Sequence, residues 1–388
     1  MRFSPPARAV ISDFLQGGLF MQIEPFKLER YFAEYEFNAP HLLCCSDCES
    51  LSIGDVLDME PGAEEELKKL WLGYTQSKGA PLLREQIAAL YPGISPDQIL
   101  VHTGAEEAIF NTMNAVLQKG DHVIVHYPCY QSLMEVAASL GCETTLWKTY
   151  EHSDWALDLA VLKKNIRPNT RLVVINCPHN PTGYVMASDA FAELVELSQK
   201  HGFMIFSDEV YRFLEYDAQD RLPSICEVDD RGVALGVMSK AFGLAGLRIG
   251  WIATRNRQAY EKIASFKDYT TICNSAPAEF LSMIALKHKN RILSRNLNRL
   301  KNNLAALNRF FQKYPDMFQW TAPKAGPIAF PSLRKGAVDQ FCHDLVTRAG
   351  VLLLPGTLYD ASCPNFRIGF GRANMVKCLR KFDDYLQQ

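Results

Sequence analysis

The sequence predicts an α/β fold, in which a mostly parallel central sheet carries helices on both faces and a smaller α+β domain lies beside it. In the middle of the chain, short apolar segments rich in β-branched residues alternate with segments of helical periodicity. In the last hundred or so residues, one long polar helical segment is followed by short segments separated by glycine. We therefore predict a large domain over residues 50–285, and a small domain formed by residues 1–49 and 286–388.

The elements predicted for the large domain are short strands, most of them followed by a helix. Because ligands of such sheets bind beyond the carboxyl ends of the strands, we expect functional side chains directly after each strand. The predicted strands are residues 97–101, 121–125, 170–176, 203–207, 233–238 and 247–253, and the predicted helices are residues 106–118, 131–140, 187–201 and, in the small domain, 291–314.

Composition narrows the class of protein. The net charge of the 388 residues is −2 and basic residues are scattered, which argues against binding to nucleic acid or to a membrane surface. No apolar segment of about 18 residues is present. Eleven cysteines at irregular spacing indicate reduced thiols in the cytoplasm. Cys44, Cys45 and Cys48 form the one close group, but a metal site would need further ligands. We predict partly buried free thiols and no metal, with a metal or redox role as a minor alternative.

The first two strands are followed by small and aromatic residues. Gly104, Ala105 and Glu106 open a helix after Thr103, where backbone N–H groups and the helix dipole could attract an anion. A simple N-cap by Thr103 explains this pattern equally well. Tyr130, just beyond the next strand, could lie flat on a planar ring, although core packing is the more common role of a single tyrosine.

Two later strands end in polar residues that packing does not explain. Asn180 lies between Pro178 and Pro181 in a rigid turn, which favours a functional role for its amide. Asp208 ends an apolar strand, where a buried acid needs a cation such as a protonated pyridine nitrogen. Tyr211 could donate a hydrogen bond to a phenolate oxygen nearby. The alternative for Asp208 is a cap of the following helix.

The last predicted site contains a lysine and an arginine eight residues apart. Lys240 lies among apolar and small residues, and desolvation lowers the pKa of an amine and makes it a usable nucleophile. Arg248 can bind a phosphate through two hydrogen bonds. The glycines between them do not form the fingerprint of a dinucleotide-binding loop.

Three segments in this order closely resemble the class I/II aminotransferases, which are fold-type I enzymes that use pyridoxal 5′-phosphate (PLP). They are residues 176–183 (NCPHNPTG), 208–211 (DEVY) and 239–251 (SKAFGLAGLRIGW), and the resemblance covers nearly the whole chain. It implies that Lys240 carries PLP as a Schiff base and that Asp208 pairs with the pyridine N–H. It also implies that Asn180 and Tyr211 bind the ring O3′ and that Tyr130 stacks on the ring.

The same resemblance implies the remaining contacts. Tyr74 would reach the phosphate from the neighbouring subunit of a homodimer, Arg367 would clamp the substrate α-carboxylate, and Gly54 would belong to the segment that closes over the substrate. Many relatives have Ser or Thr three residues before the lysine, where this chain has Val237, so one phosphate contact is lost or replaced. The residues that hold or flank the phosphate would be Gly104, Ala105, Glu106, Ser239 and Arg248.

The expected reaction is transfer of an amino group between an α-amino acid and a 2-oxo acid. No second arginine stands out for a side-chain carboxylate, which argues mildly against a dicarboxylate substrate. A PLP-dependent lyase or cyclase is the alternative, because residues 29–32, 266–269 and 326–330 resemble capreomycidine synthase more loosely. A non-catalytic ligand-sensing module is disfavoured by the intact Lys240 and by the lack of a DNA-binding pattern.

Overall fold

The structure is a computed structural model that describes residues 22–388. Its centre is a seven-stranded sheet in which Gly250–Ala253 runs antiparallel to both neighbours and the other strands run parallel to one another. The mostly parallel α/β fold predicted from the sequence is therefore confirmed. The strands, from one edge of the sheet to the other, are Ile99–His102, Gly250–Ala253, Val233–Val237, Met204–Asp208, Thr170–Asn176, His122–Tyr127 and Glu143–Lys148.

Helices cover both faces of this sheet. Successive side chains of a strand point to opposite faces, and Met204–Asp208 and Val233–Val237 are buried at every position. Apolar residues on one face of each helix complete this core, as Phe191, Leu194 and Val195 do in Ser188–His201. The helices around the sheet are Ile53–Leu57, Ala63–Lys68, Pro81–Ala88, Gly104–Val116, Ser132–Ser139, Leu159–Asn165, Ser188–His201, Ile225–Val228, Arg257–Lys267 and Ala276–Lys287.

The predicted strands are present to within a few residues, but the edge strand Glu143–Lys148 was not predicted. Within residues 22–388 this strand pairs only with His122–Tyr127, and most of its side chains are partly or fully exposed. Its segment, ETTLWK, therefore lacks the continuous apolar run that identified the buried strands.

A smaller α+β domain lies beside the sheet, as predicted. Its short strands are paired as His41–Leu42 with Val351–Leu352, Phe318–Gln319 with Ser332–Leu333, and Phe366–Gly369 with both Ile328–Ala329 and Leu354–Pro355. Its helices are Lys27–Tyr35, Lys289–Lys313, Val338–Ala349 and Met375–Leu386. The parallel pairing of His41–Leu42 shows how the N-terminal segment returns to the C-terminal part of the chain.

The domain boundaries at residues 49/50 and 285/286 stay a prediction, and residues 1–21, assigned to the small domain, lie outside the described residues. In the described part of the chain, no helix combines the length and the apolar character needed to cross a membrane.

Candidate active site

A cavity of about 430 Å³ opens at the carboxyl edge of the central sheet. Residues that directly follow several different strands line it, because the ends of parallel strands meet at this edge. Its lining includes Ala105, Glu106, Tyr130, Asn180, Asp208, Tyr211, Ser239, Lys240, Arg248 and Arg367, which the sequence analysis had singled out.

Lys240 follows the strand Val233–Val237 and points into this cavity. Its Nζ donates a hydrogen bond to Oγ of Ser46 at 2.8 Å. Burial lowers the pKa of Lys240, and the positive charge of Arg367 acts in the same direction, while Asp47 opposes both. A larger fraction of the amine is therefore neutral and nucleophilic than for a lysine in water.

Asp208 is the last residue of Met204–Asp208 and is 5% exposed. Its Oδ1 accepts a hydrogen bond from the backbone N–H of Val210 at 3.2 Å. Burial raises the pKa of Asp208 to about 7, so the carboxyl group is poorly stabilised as an anion in this environment. A protonated ring nitrogen would supply the missing counter-charge, and the site therefore fits a pyridinium.

Arg248 lies against the first turn of the helix Gly104–Val116. Gly104 has φ of +83°, and a Cβ built there would be 2.5 Å from Nη2 of Arg248. A Cβ at Gly250 would be 2.7 Å from the carbonyl carbon of Gly104, so backbone segments also meet closely here. A helix N-terminus beside a guanidinium is suited to a phosphate group. Val237 lines the same cavity and offers no hydroxyl.

Arg367, in the strand Phe366–Gly369, is 1% exposed and is held by several hydrogen bonds. Its Nη1 donates to the hydroxyl of Tyr359 at 2.8 Å and to Oδ1 of Asn180 at 3.3 Å. Its Nε and Nη2 donate to the carbonyl of Cys44 at 3.2 and 2.9 Å. These contacts fix the plane of a guanidinium that faces the cavity, which suits the binding of a carboxylate.

Two tyrosines and a glutamate complete this part of the wall. The hydroxyl of Tyr211 donates to the carbonyl of Ser46 at 3.0 Å. The ring of Tyr130 lies in the lining, with its centroid 5.0 Å from that of Phe26. Glu106 accepts a hydrogen bond from the Ser132 hydroxyl at 3.1 Å, and burial raises the pKa of Glu106.

Tyr74 and Gly54 do not line the cavity. Tyr74 is 85% exposed, and Gly54 lies exposed in the helix Ile53–Leu57. The role of Tyr74 across a subunit interface and the role of Gly54 at the substrate stay predictions. Residues 45–47 and one face of the helix Lys27–Tyr35 do line the cavity.

Several charged residues of the lining were not predicted from the sequence. Asp47 and Arg372 form an ion pair, with Nη2 of Arg372 2.9 Å from Oδ2 of Asp47. Gly369 and Gly371 allow this arrangement, since a Cβ on either would come within about 2 Å of the backbone of residues 45 and 47. The available signal was the position of Arg372, just past the strand that carries Arg367. Glu29 and Glu36 were also missed.

The three clustered cysteines are buried free thiols, and Cys45 reaches the cavity. Across residues 22–388, no group of three or more His, Cys, Asp or Glu side chains is arranged to hold a metal ion.

Comparisons with known proteins agree with this geometry. The family "Aminotransferase class I and II" matches residues 46–380. Capreomycidine synthase from Streptomyces vinaceus is 28% identical over 88% of both chains. An aspartate aminotransferase from Thermotoga maritima is 30% identical over 84% of this chain and 88% of its own.

Solved structures are similar over nearly the whole chain. A PLP-dependent aminotransferase from Streptococcus suis superposes with a TM-score of 0.90 at 33% identity and covers 95% of this chain and 98% of its own. The PLP-dependent cyclase OrfR superposes with a TM-score of 0.85 at 27% identity, covering 94% and 98%. Given the family match and the cradle around Lys240, the chain belongs to the class I and II aminotransferase family of fold-type I enzymes, whose cofactor is pyridoxal 5′-phosphate.

Proposed function

We propose that the protein is an aminotransferase that moves an amino group from an α-amino acid to a 2-oxo acid, with PLP bound to Lys240. The observation that carries the proposal is the presence of Lys240, Asp208 and Arg367 in one cavity. PLP, when bound, supplies an electron sink that acidifies the Cα–H of the amino acid.

Lys240 would act as the general base and acid of the reaction. Burial lowers the pKa of Lys240 and so increases the neutral fraction of the amine, which would accept the Cα proton and later give it up again. Asp208 would keep the ring nitrogen protonated, and Asn180 and Tyr211 would donate to the phenolic oxygen of the ring.

The other residues would bind and orient. Tyr130 would pack on the ring, and Arg367 would bind the α-carboxylate, so that with Asn180 it sets the orientation of the scissile Cα bond. The phosphate would be held or flanked by Gly104, Ala105, Glu106, Ser239 and Arg248, with Tyr74 reaching it from a partner subunit and Gly54 in a segment near the substrate.

A homodimer in the cytoplasm is part of the proposal. The support for the dimer is the exposure of Trp71, Leu72 and Tyr74, three large apolar or aromatic side chains on one short segment. The odd number and irregular spacing of the cysteines favour a reducing compartment. Sedimentation of the purified protein at several concentrations tests the dimer.

A cyclase or lyase acting on an amino acid is the second candidate. It is favoured by the similarity to capreomycidine synthase and to the cyclase OrfR over most of the chain. The products distinguish the reactions, since transfer yields a 2-oxo acid and pyridoxamine phosphate, whereas a lyase releases the substrate's leaving group and a cyclase returns a ring-closed amino acid.

The test is a panel of amino acids added to the holoenzyme without an acceptor. We expect 2-oxo acid and pyridoxamine phosphate in amounts stoichiometric with the enzyme. In enzyme that has not met an amino acid, borohydride reduction should fix the cofactor to the peptide that contains Lys240. Lys240→Ala should not form either product at a comparable rate. Catalytic formation of a cyclised or eliminated product without pyridoxamine phosphate would refute the transfer reaction.

A further inference from the structure

The helix Lys27–Tyr35 and its C-terminal residue Glu36 present one face to the cavity. Leu28, Glu29, Phe32 and Glu36 all line it, and the spacing of Glu29, Phe32 and Glu36 by three and four positions is that of one helix face. The ring centroid of Phe32 lies 5.8 Å from Cζ of Arg367. This face therefore adjoins the part of the cavity where the substrate carboxylate would bind.

Most other charged groups of the lining already have a counter-charge or a proposed ligand. Arg372 pairs with Asp47 at 2.9 Å. Arg248 and Arg367 would face the phosphate and the α-carboxylate. Glu106 accepts a hydrogen bond from the hydroxyl of Ser132 at 3.1 Å and is one of the residues proposed to flank the phosphate.

Glu29 and Glu36 are the charged residues of the described lining that have neither a counter-charge nor a proposed ligand. Glu29 is exposed at the mouth and Glu36 is half-buried, and neither side chain forms an ion pair or a hydrogen bond with another residue between 22 and 388. Burial raises the pKa of Glu36, the charges of Asp47 and Glu29 add to this, and Arg372 and Arg367 only partly offset it. A carboxylate in this position is stabilised by a cation that enters the cavity.

We infer, on the basis of the proposed function, that the substrate is an α-amino acid whose side chain ends in an ammonium or guanidinium group, with Glu36 as its main specificity contact and Glu29 at the mouth. With the α-carboxylate on Arg367, the side chain of the substrate would extend beneath Phe32 toward Glu36. A second carboxylate, as in aspartate, would meet Glu36 there. Among the residues that the structure describes, Arg372 is the one additional arginine of the lining, and it is already paired.

The test compares lysine, ornithine and arginine with norleucine and aspartate on the same holoenzyme. The change in cofactor absorbance on mixing measures recognition whatever reaction follows. We expect kcat/KM to favour at least one basic amino acid over norleucine by about tenfold or more, which is about 1.4 kcal/mol.

Glu36→Gln should lower the ratio of kcat/KM for the basic amino acid to kcat/KM for norleucine about tenfold. Glu36→Lys should shift the preference toward aspartate. Glu34→Gln, on an exposed residue of the same helix outside the lining, is the matched control and should keep the wild-type ratio.

A wild-type preference for aspartate or norleucine would overturn the inference, and so would an equal effect of Glu36→Gln on basic and neutral substrates. Absence of 2-oxo acid from every amino acid, with the preference for basic amino acids retained in the absorbance change, would instead reject transamination and leave the inference standing.

Discussion

The hydroxyl of Tyr359 accepts a hydrogen bond from Nη1 of Arg367 at 2.8 Å and donates one to Oδ1 of Asn180 at 3.2 Å. Arg367 also donates to the same Asn180 oxygen, so the three side chains form a closed, buried triangle. Asn180 follows a strand of the central sheet and Arg367 lies in the small domain. The triangle therefore couples the arginine proposed to bind the substrate to the turn that would bind the cofactor ring.

Arg367→Lys should weaken catalysis strongly, because lysine cannot reproduce the planar, multiply bonded guanidinium. We expect kcat/KM to fall by an amount that corresponds to a loss of about 2–5 kcal/mol of transition-state stabilisation. An amino acid amide lacks the carboxylate, so the preference of the enzyme for acid over amide should shrink in the variant. An unchanged preference would contradict a carboxylate contact at Arg367.

Asp208→Asn should stabilise the cofactor-free protein at neutral pH while impairing the holoenzyme. The pKa of Asp208 is raised from 3.8 to about 7 by burial, so the folded state binds this proton more tightly than the unfolded state. Protonated Asp208 therefore contributes to the free energy of unfolding. This contribution is present below pH 4, is lost as pH rises toward 7, and is on the order of 4 kcal/mol at most.

Denaturant unfolding of both apo-proteins between pH 4 and 8 measures this effect. The free energy of unfolding of Asp208→Asn should increase relative to that of the wild type as pH rises. That of the exposed control Asp316→Asn should follow the wild type throughout. Parallel curves for Asp208→Asn and the wild type would mean that this carboxyl group is not destabilised as an anion in the fold.

Gly104→Ala should reduce affinity for PLP. The new Cβ would lie 2.5 Å from Nη2 of Arg248 and displace the guanidinium. Gly120→Ala is a matched control, since Gly120 has φ of +86° and no atom of residues 22–388 outside its immediate chain neighbours lies within 4 Å of its Cβ position. Both variants should lose about 1–2 kcal/mol of stability from the left-handed backbone. Only Gly104→Ala should release the cofactor more readily on dialysis, and equal release would refute the assignment.

His126→Phe should make the protein less sensitive to acid. The rings of His126 and His179 stack with centroids 3.8 Å apart in the core. Burial lowers the pKa of His126 well below its usual value and that of His179 to about 3. Both histidines then take up protons more readily in the unfolded state, so stability falls as pH drops below about 6.5.

The measurement is the difference in Tm between pH 8 and pH 5. Phenylalanine keeps an aromatic ring against His179 and removes one titrating group, so this difference should shrink, whereas the exposed control His343→Phe should leave it unchanged. A larger difference in His126→Phe would contradict the burial of a neutral imidazole.

The site residues that could be predicted from the sequence are those that lie at or just after the end of an individual strand. Asn180, Asp208 and Lys240 each follow an apolar strand, and parallel strands bring their ends to one edge. Glu36 was not predictable in this way, because its position depends on how the helix Lys27–Tyr35 packs over that edge. Arg372 follows the strand Phe366–Gly369, but that strand belongs to the small domain, whose packing against the sheet is not encoded in the segment. No periodicity within a segment encodes such a contact.

The antiparallel strand Gly250–Ala253 has a consequence for how the connection 241–247 can vary. Because this strand starts at the edge where Val233–Val237 ends, Lys240 and Arg248 reach the same cavity from the two ends of one short loop. An inserted or deleted residue in that loop would change the separation of two anchoring groups without altering any strand. We therefore expect the length of this loop to tolerate less change than its composition.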